Sequence, residues 1–202
     1  MNSFLADFIF FFAVIDPIGS IPVFIAVTSS FDIATKKKIA IKATLVSAAL
    51  LLFFAVVGEI LLVAIGIPLP AFQIAGGLVL LLFALTMIFG ESKPDEELKM
   101  VDKASETAIF PLAVPSIASP GAMLAAVLLT ENHRFSYLEQ AVTVAAFLLV
   151  LVIVLVFLLT AGFVYRHIGN SGASIISRVM GLILSSVAIA NMLDGVKEYF
   201  GL

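Results

Sequence analysis

A chain of 202 residues that is 62% hydrophobic, 12% charged and +1.20 in mean hydropathy cannot cover its apolar surface with polar side chains, as a soluble domain must. Its formal charge of −3 and lack of a basic stripe exclude nucleic acid as a partner. Without cysteine it has no disulfide, thiolate metal site or thiol nucleophile. The lipid bilayer is the partner that composition demands, and an all-α integral membrane protein is the expected class.

A hydrocarbon core of about 30 Å takes roughly 20 apolar residues of helix. Six stretches qualify: Phe4–Val27, Ile39–Ile65, Phe72–Phe89, Ile109–Leu129, Ala141–Val164 and Ile175–Leu193. The first lacks the basic flank of a cleaved signal peptide and reads as a retained span. It is interrupted by Asp16-Pro17-Ile18-Gly19-Ser20-Ile21-Pro22. Pro17 and Pro22 have no amide hydrogen and Gly19 tolerates positive φ, so the helix is expected to stop near Asp16 and restart near Ser20. At about 1.5 Å per residue, Asp16 lies roughly 18 Å into the span, near the midplane. A carboxylate there costs about 2.5–3.5 kcal/mol on insertion scales and ordinarily marks an ion, proton or substrate path. The bland alternative is a protonated structural cap.

Further along, Glu59 sits near the outer end of the second span and reads as reaching the interface. Gln73, Thr86 and Asn191 are most simply bonded within the bundle. The charged stretch Glu91–Thr107, which contains Pro94, is the natural boundary between halves. In the fourth span Pro17 and Pro22 recur 98 residues later as Pro115 and Pro120, within Pro115-Ser116-Ile117-Ala118-Ser119-Pro120-Gly121. Ser119 followed by Pro120 reads as an N-cap and a proline tolerated in the first helical turn. In the sixth span Gly77 and Ala84 recur 104 residues on as Gly181 and Ala188. Gly181 and Ser185 suit close helix packing, within one protomer or in a homo-oligomer. Asp194 and Lys197 read as solvated at a helix end, and His133 and His167 lack metal-ligand spacing, so no metal is expected.

Six spans place nine of the eleven Lys and Arg on one side, with only Arg134 and Lys197 opposite. The positive-inside rule makes that side cytoplasmic and leaves both termini outside a prokaryotic cell (inner) membrane. Lys36-Lys37-Lys38 reads as a topology anchor, being shorter than the roughly four to eight basic residues of a lipid-headgroup patch. Residues 1–90 and 108–202 then enter the membrane in opposite directions, as inverted three-helix repeats of a single transmembrane domain joined by a 91–107 loop.

Repeated breaks in two halves are the best sequence pointer to a transport site. Two half-helix N-termini aimed at the centre favour an anion, while the opposite ends and Asp16 favour a cation. A small zwitterion fits both. The candidate binding residues are Asp16, Gly19, Ser20, Ile21, Ala118, Ser119 and Gly121, with helix breaks at Pro17, Pro22, Pro115 and Pro120. Asp16 is also the candidate coupling group, for a proton or sodium ion, and no other cofactor is expected. The structural alternative is that the prolines only kink the helices while Gly and Ser pack against neighbours. No P-loop, HExxH or Ser/His/Asp grouping appears, so neither an enzyme nor an ATP-driven pump is expected.

Four stretches, FFFAVIDPIGSIPVFIAVT at 10–28, GEILLVAIGIPLPAFQIAGGLVLLLFAL at 58–85, FPLAVPSIASPGAM at 110–123 and SRVMGLIL at 177–184, give the chain its resemblance to the MarC family of six-span small neutral amino acid transporters. Ser20, Ser119 and Thr86 stand where that family often has Asn, Gly and Asp. The resemblance implies transport of small neutral amino acids such as glycine and alanine, coupled to protons or another cation. Two other readings stay open. An ion or small-solute channel would conduct without saturable exchange, and a non-transporting membrane assembly or scaffold protein would act through a partner without flux.

Overall fold

The computed structural model describes residues 3–89, 107–132 and 134–201. The boundary stretch expected at 91–107, except Thr107, lies outside the described residues, as does His133. In chain order the elements are α1 (Ser3–Ile15), α2 (Ser20–Val27), α3 (Ile33–Ala64), α4 (Leu69–Phe89), an interrupted π-helical segment (Ala108–Ile117), α5 (Pro120–Leu128), α6 (Tyr137–Leu159) and α7 (Ala161–Phe200). No strand occurs among the described residues. Five helices are long and apolar enough to cross a membrane, or six if the segment 108–117 and α5 form one span.

Several boundaries differ from expectation: α4 starts at Leu69 rather than Phe72, and α6 runs over Tyr137–Leu159 rather than Ala141–Val164. Helix α3 begins at Ile33 rather than Ile39, because Asp32 caps it by accepting from the Ala34 amide at 3.2 Å, and lysines are good helix formers. The expected connection over 165–174 is mostly helical as part of α7, interrupted at Gly169 (φ 65°, ψ 175°). Within α7, only Ser174–Phe200 is a stretch long and apolar enough to cross a membrane. The glycine supplies a left-handed conformation that other residues rarely adopt.

Helices α1 and α2 occupy the centre. Their combined span, Phe4–Val27, is 67% buried over its most apolar window, against 22–39% for the spans of α3, α4, α6 and α7. Phe11, Val14 and Ile15 are fully enclosed, with Phe11 packed on Phe147 of α6 at a ring separation of 5.4 Å. The outer helices turn large apolar side chains such as Leu45, Val56, Leu82 and Leu182 outward. On a soluble protein such a surface would aggregate, but in a bilayer it meets lipid.

Where lipid is as apolar as the protein, helices associate through close packing of small residues. Helices α4 and α7 do this antiparallel to each other. A Cβ on Gly181 would lie 2.9 Å from the Ala84 carbonyl oxygen, and one on Gly77 would lie 3.0 Å from that of Ala188. A Cβ on Gly195 would likewise lie 3.0 Å from the Pro70 carbonyl oxygen. Gly181 therefore packs within the protomer, while Ser185 is half-buried and donates to the Leu182 carbonyl of its own helix.

Since the obstacle at Gly181 is backbone, Gly181→Val is expected to destabilise the fold by on the order of 1–3 kcal/mol. Gly162→Ala, whose added carbon meets nothing within 4 Å, should stay within about 0.5 kcal/mol of the parent. Unfolding midpoints in detergent check the contrast, and equal midpoints would contradict the close crossing.

Candidate functional site

The interruption between α1 and α2 is organised by one side chain. Asp16 takes φ 49°, an uncommon conformation that a short polar residue tolerates better than most. Pro17 follows it and contributes no amide hydrogen. The Asp16 carboxylate folds over the turn, and its Oδ1 accepts from the Gly19 amide at 2.9 Å. The Asp16 carbonyl accepts from both the amide and the hydroxyl of Ser20 at 3.1 Å. Across the bundle, Ser177 of α7 donates its hydroxyl to Asp16 Oδ2 at 3.1 Å. A Cβ on Gly19 would run into the Asp16 carboxylate and sit 2.9 Å from Ser177 Oγ, so close approach requires glycine there.

The second interruption is built differently. Phe110 and Val114, each before a proline, are extended (φ near −131° and −133°), because the proline ring disfavours a helical predecessor. The segment 108–117 meets α5 at 58°, whereas α1 and α2 run on as the single span Phe4–Val27. Ser119, extended at ψ 158°, caps α5 by accepting from the Ala122 amide at 3.1 Å, with Pro120 in the first turn.

Hydroxyl groups join the two interruptions. Ser119 donates to the carbonyl of Val14 at 3.2 Å. Ser116 Oγ lies 3.4 Å from Ser20 Oγ. Ser47 of α3 bonds the Ala43 carbonyl of its own helix and reaches the Ala113 carbonyl at 3.3 Å. The expected residues Asp16, Gly19, Ser20, Ile21, Ala118, Ser119 and Gly121 are all buried around this junction. Of the prolines, Pro17 and Pro22 are buried, Pro115 is half-buried and Pro120 is exposed.

One expectation changes. The amides beside Ser20 were expected to stand open to an anion, but in this conformation they are engaged locally. Gly19 N is held by the Asp16 carboxylate, Ser20 N by the Asp16 carbonyl and Ile21 N by the Ile18 carbonyl at 3.1 Å. Short turns satisfy buried amides internally because unpaired ones are costly. A ligand carboxylate entering at α2 must displace these bonds.

Sequence reasoning also missed several groups. Ser177 lies within SRVMGLIL but carries no signal of its own, since its partner is 161 positions away. Asp7 was detectable as a carboxylate inside an apolar run. It accepts from Thr143 of α6 at 2.6 Å. Glu59, read as merely reaching the interface, accepts from the Asn132 amide and side chain at 2.8 and 2.7 Å. Beside it Arg134 bridges Glu131 and Glu198 at 3.8 and 3.6 Å. Thr86 bonds the Phe83 carbonyl of its own helix, as expected. Among the described residues no group of three or more His, Asp or Glu gathers as a metal site.

A family model described as MarC family integral membrane protein matches residues 1–200. A UPF0056 membrane protein of Methanocaldococcus jannaschii is 36% identical, with 98% of this chain and 97% of the relative aligned. One from Aquifex aeolicus is 30% identical over 96% and 92% of the two chains. One from Buchnera aphidicola is 28% identical over 99% of each. No solved structure matches the chain.

Asp16→Ala should cost about 1–3 kcal/mol by stranding the Gly19 amide, whereas Asp16→Asn retains an acceptor and should cost less. Gly19→Ala, which drives a methyl group into the carboxylate, should cost at least as much as Asp16→Ala. Thermal unfolding in detergent reads the order, and a stable Gly19→Ala protein would contradict the turn geometry.

Proposed function

The chain belongs to the MarC family of integral membrane proteins, and on that premise we propose that it is a secondary transporter of small neutral amino acids, glycine- or alanine-like zwitterions, working by alternating access. The observation that carries the reading is the buried junction itself. It combines an aspartate side chain, the hydroxyls of Ser20, Ser116 and Ser119, and the capped N-terminus of α5. Helix N-termini favour the carboxylate of a ligand. Asp16 suits its ammonium or a coupling cation, either a proton or sodium. The small residues Gly19, Ser20, Ala118, Ser119 and Gly121 limit the ligand to a compact one.

In this reading α1–α2 and the segment 108–117 with α5 are two spans broken near the midplane, one in each of two inverted repeats, 1–90 and 108–202. The α4–α7 contacts support the pairing. Gly77 faces Ala188 and Gly181 faces Ala84, a reciprocity that a two-fold relation between halves produces. The inter-half bonds from Ser119 to Val14 and between Ser116 and Ser20 are the ones that opening must break. The concentration of Lys and Arg on one side assigns that side to the cytoplasm and the termini to the exterior. Matches from bacteria and archaea suit a prokaryotic cell membrane. A junction packed shut favours a transporter over an open channel.

Uptake of labelled glycine and alanine into proteoliposomes tests the proposal. Saturable flux that responds to an imposed proton or sodium gradient is expected, with Asp16→Asn reducing coupled uptake by about tenfold, the scale of one lost hydrogen bond to a charged group. Folded protein without amino acid flux under either gradient would overturn the reading.

A further inference from the structure

A second feature lies away from the junction, where the ends of α2 and α6 meet the starts of α3 and α7. A cleft of about 340 Å³ opens there, lined by the apolar Phe24, Leu158 and Leu159 and by the polar Lys36, Lys37 and Tyr165. We propose that this cleft holds one anionic phospholipid of the surrounding bilayer, with its phosphate on Lys36 and Lys37 and the first part of an acyl chain against Phe24 and Leu158. The inference does not depend on the transport reading.

Charge and polarity choose the occupant. Lys36 is half-buried and Lys37 exposed, and both line the cleft from the first turns of α3. Of the other polar groups here, Thr28 already donates its hydroxyl to the Phe24 carbonyl at 2.6 Å. An anion therefore meets the lysines, and Tyr165 offers an amphipathic ring of the kind that sits at headgroup level. A free amino acid would waste the apolar wall, whereas a lipid uses both sides. Along the sequence, Lys36-Lys37-Lys38 is too short for a diffuse headgroup patch. The fold alters that by setting two of the lysines at the mouth of an apolar cleft. Gly162 lines the same space, and a Cβ there would touch nothing within 4 Å.

Native mass spectrometry of the full chain in detergent, titrated with phosphatidylglycerol or phosphatidylcholine of identical chains, tests the site. One phosphatidylglycerol should be retained in preference to phosphatidylcholine. Lys36→Gln with Lys37→Gln should lower its affinity by about fivefold per lysine and remove the preference. Gly162→Phe, which fills the cleft but keeps both lysines, should weaken both lipids, and this arm separates lipid binding from any change in membrane orientation caused by losing the lysines. Equal retention of the two lipids, or unchanged retention in both variants, would overturn the proposal. So would displacement of the lipid by inorganic phosphate with no effect of Gly162→Phe, which would make the cleft a free-phosphate site.

Discussion

The hydrogen bond from the Gly19 amide to the Asp16 carboxylate is the interaction on which the centre of this protein depends. A helix that ends away from water leaves carbonyls and amides that must find partners within the protein. Asp16 supplies one solution, capping the turn into α2 with its own side chain. Ser119 supplies the other. Its hydroxyl accepts from Ala122 to start α5 and donates to Val14, a carbonyl in the last turn of α1. The cap of the second helix thus satisfies the end of the first, so neither interruption is complete without the other.

Around this centre the packing divides into two regimes. The α1–α2 span is enclosed, with large side chains such as Phe11 and Ile15 filling the interior. Among the outer helices, α4 and α7 pair through glycine and backbone carbonyls, and larger side chains such as Leu82 and Leu182 are left to lipid. Besides the serine bonds of the junction, polar bonds between elements among the described residues include Ser177 on Asp16, Thr143 on Asp7, and Asn132 on Glu59. Such bonds fix the register of helices whose apolar surfaces alone specify it weakly.

Local chemistry made much of this legible. The stop near Asp16, the restart at Ser20 and the Ser119–Pro120 start of α5 follow from what proline, glycine and serine permit within a few residues. The Gly181 and Ser185 pair anticipated close helix packing, which Gly181 makes against the Ala84 carbonyl. What escaped reading depends on distant partners or competing local bonds. Nothing near Ser177 points to Asp16, and the amides beside Ser20 are occupied because the Asp16 side chain reaches them first. The start of α3 moved outward because a capped, lysine-rich turn is helical although it is not apolar.

The central claim is that the junction of Asp16, Ser20 and Ser119 opens to water and receives an amino acid. Because the chain contains no cysteine, a single one placed at Ala118, buried within the junction, reports its exposure without background. In membrane vesicles the account predicts that this cysteine reacts with a hydrophilic thiol reagent, and that glycine or alanine changes the rate. A thiol that stays unreactive from both sides, or whose rate is indifferent to every small neutral amino acid, would contradict it.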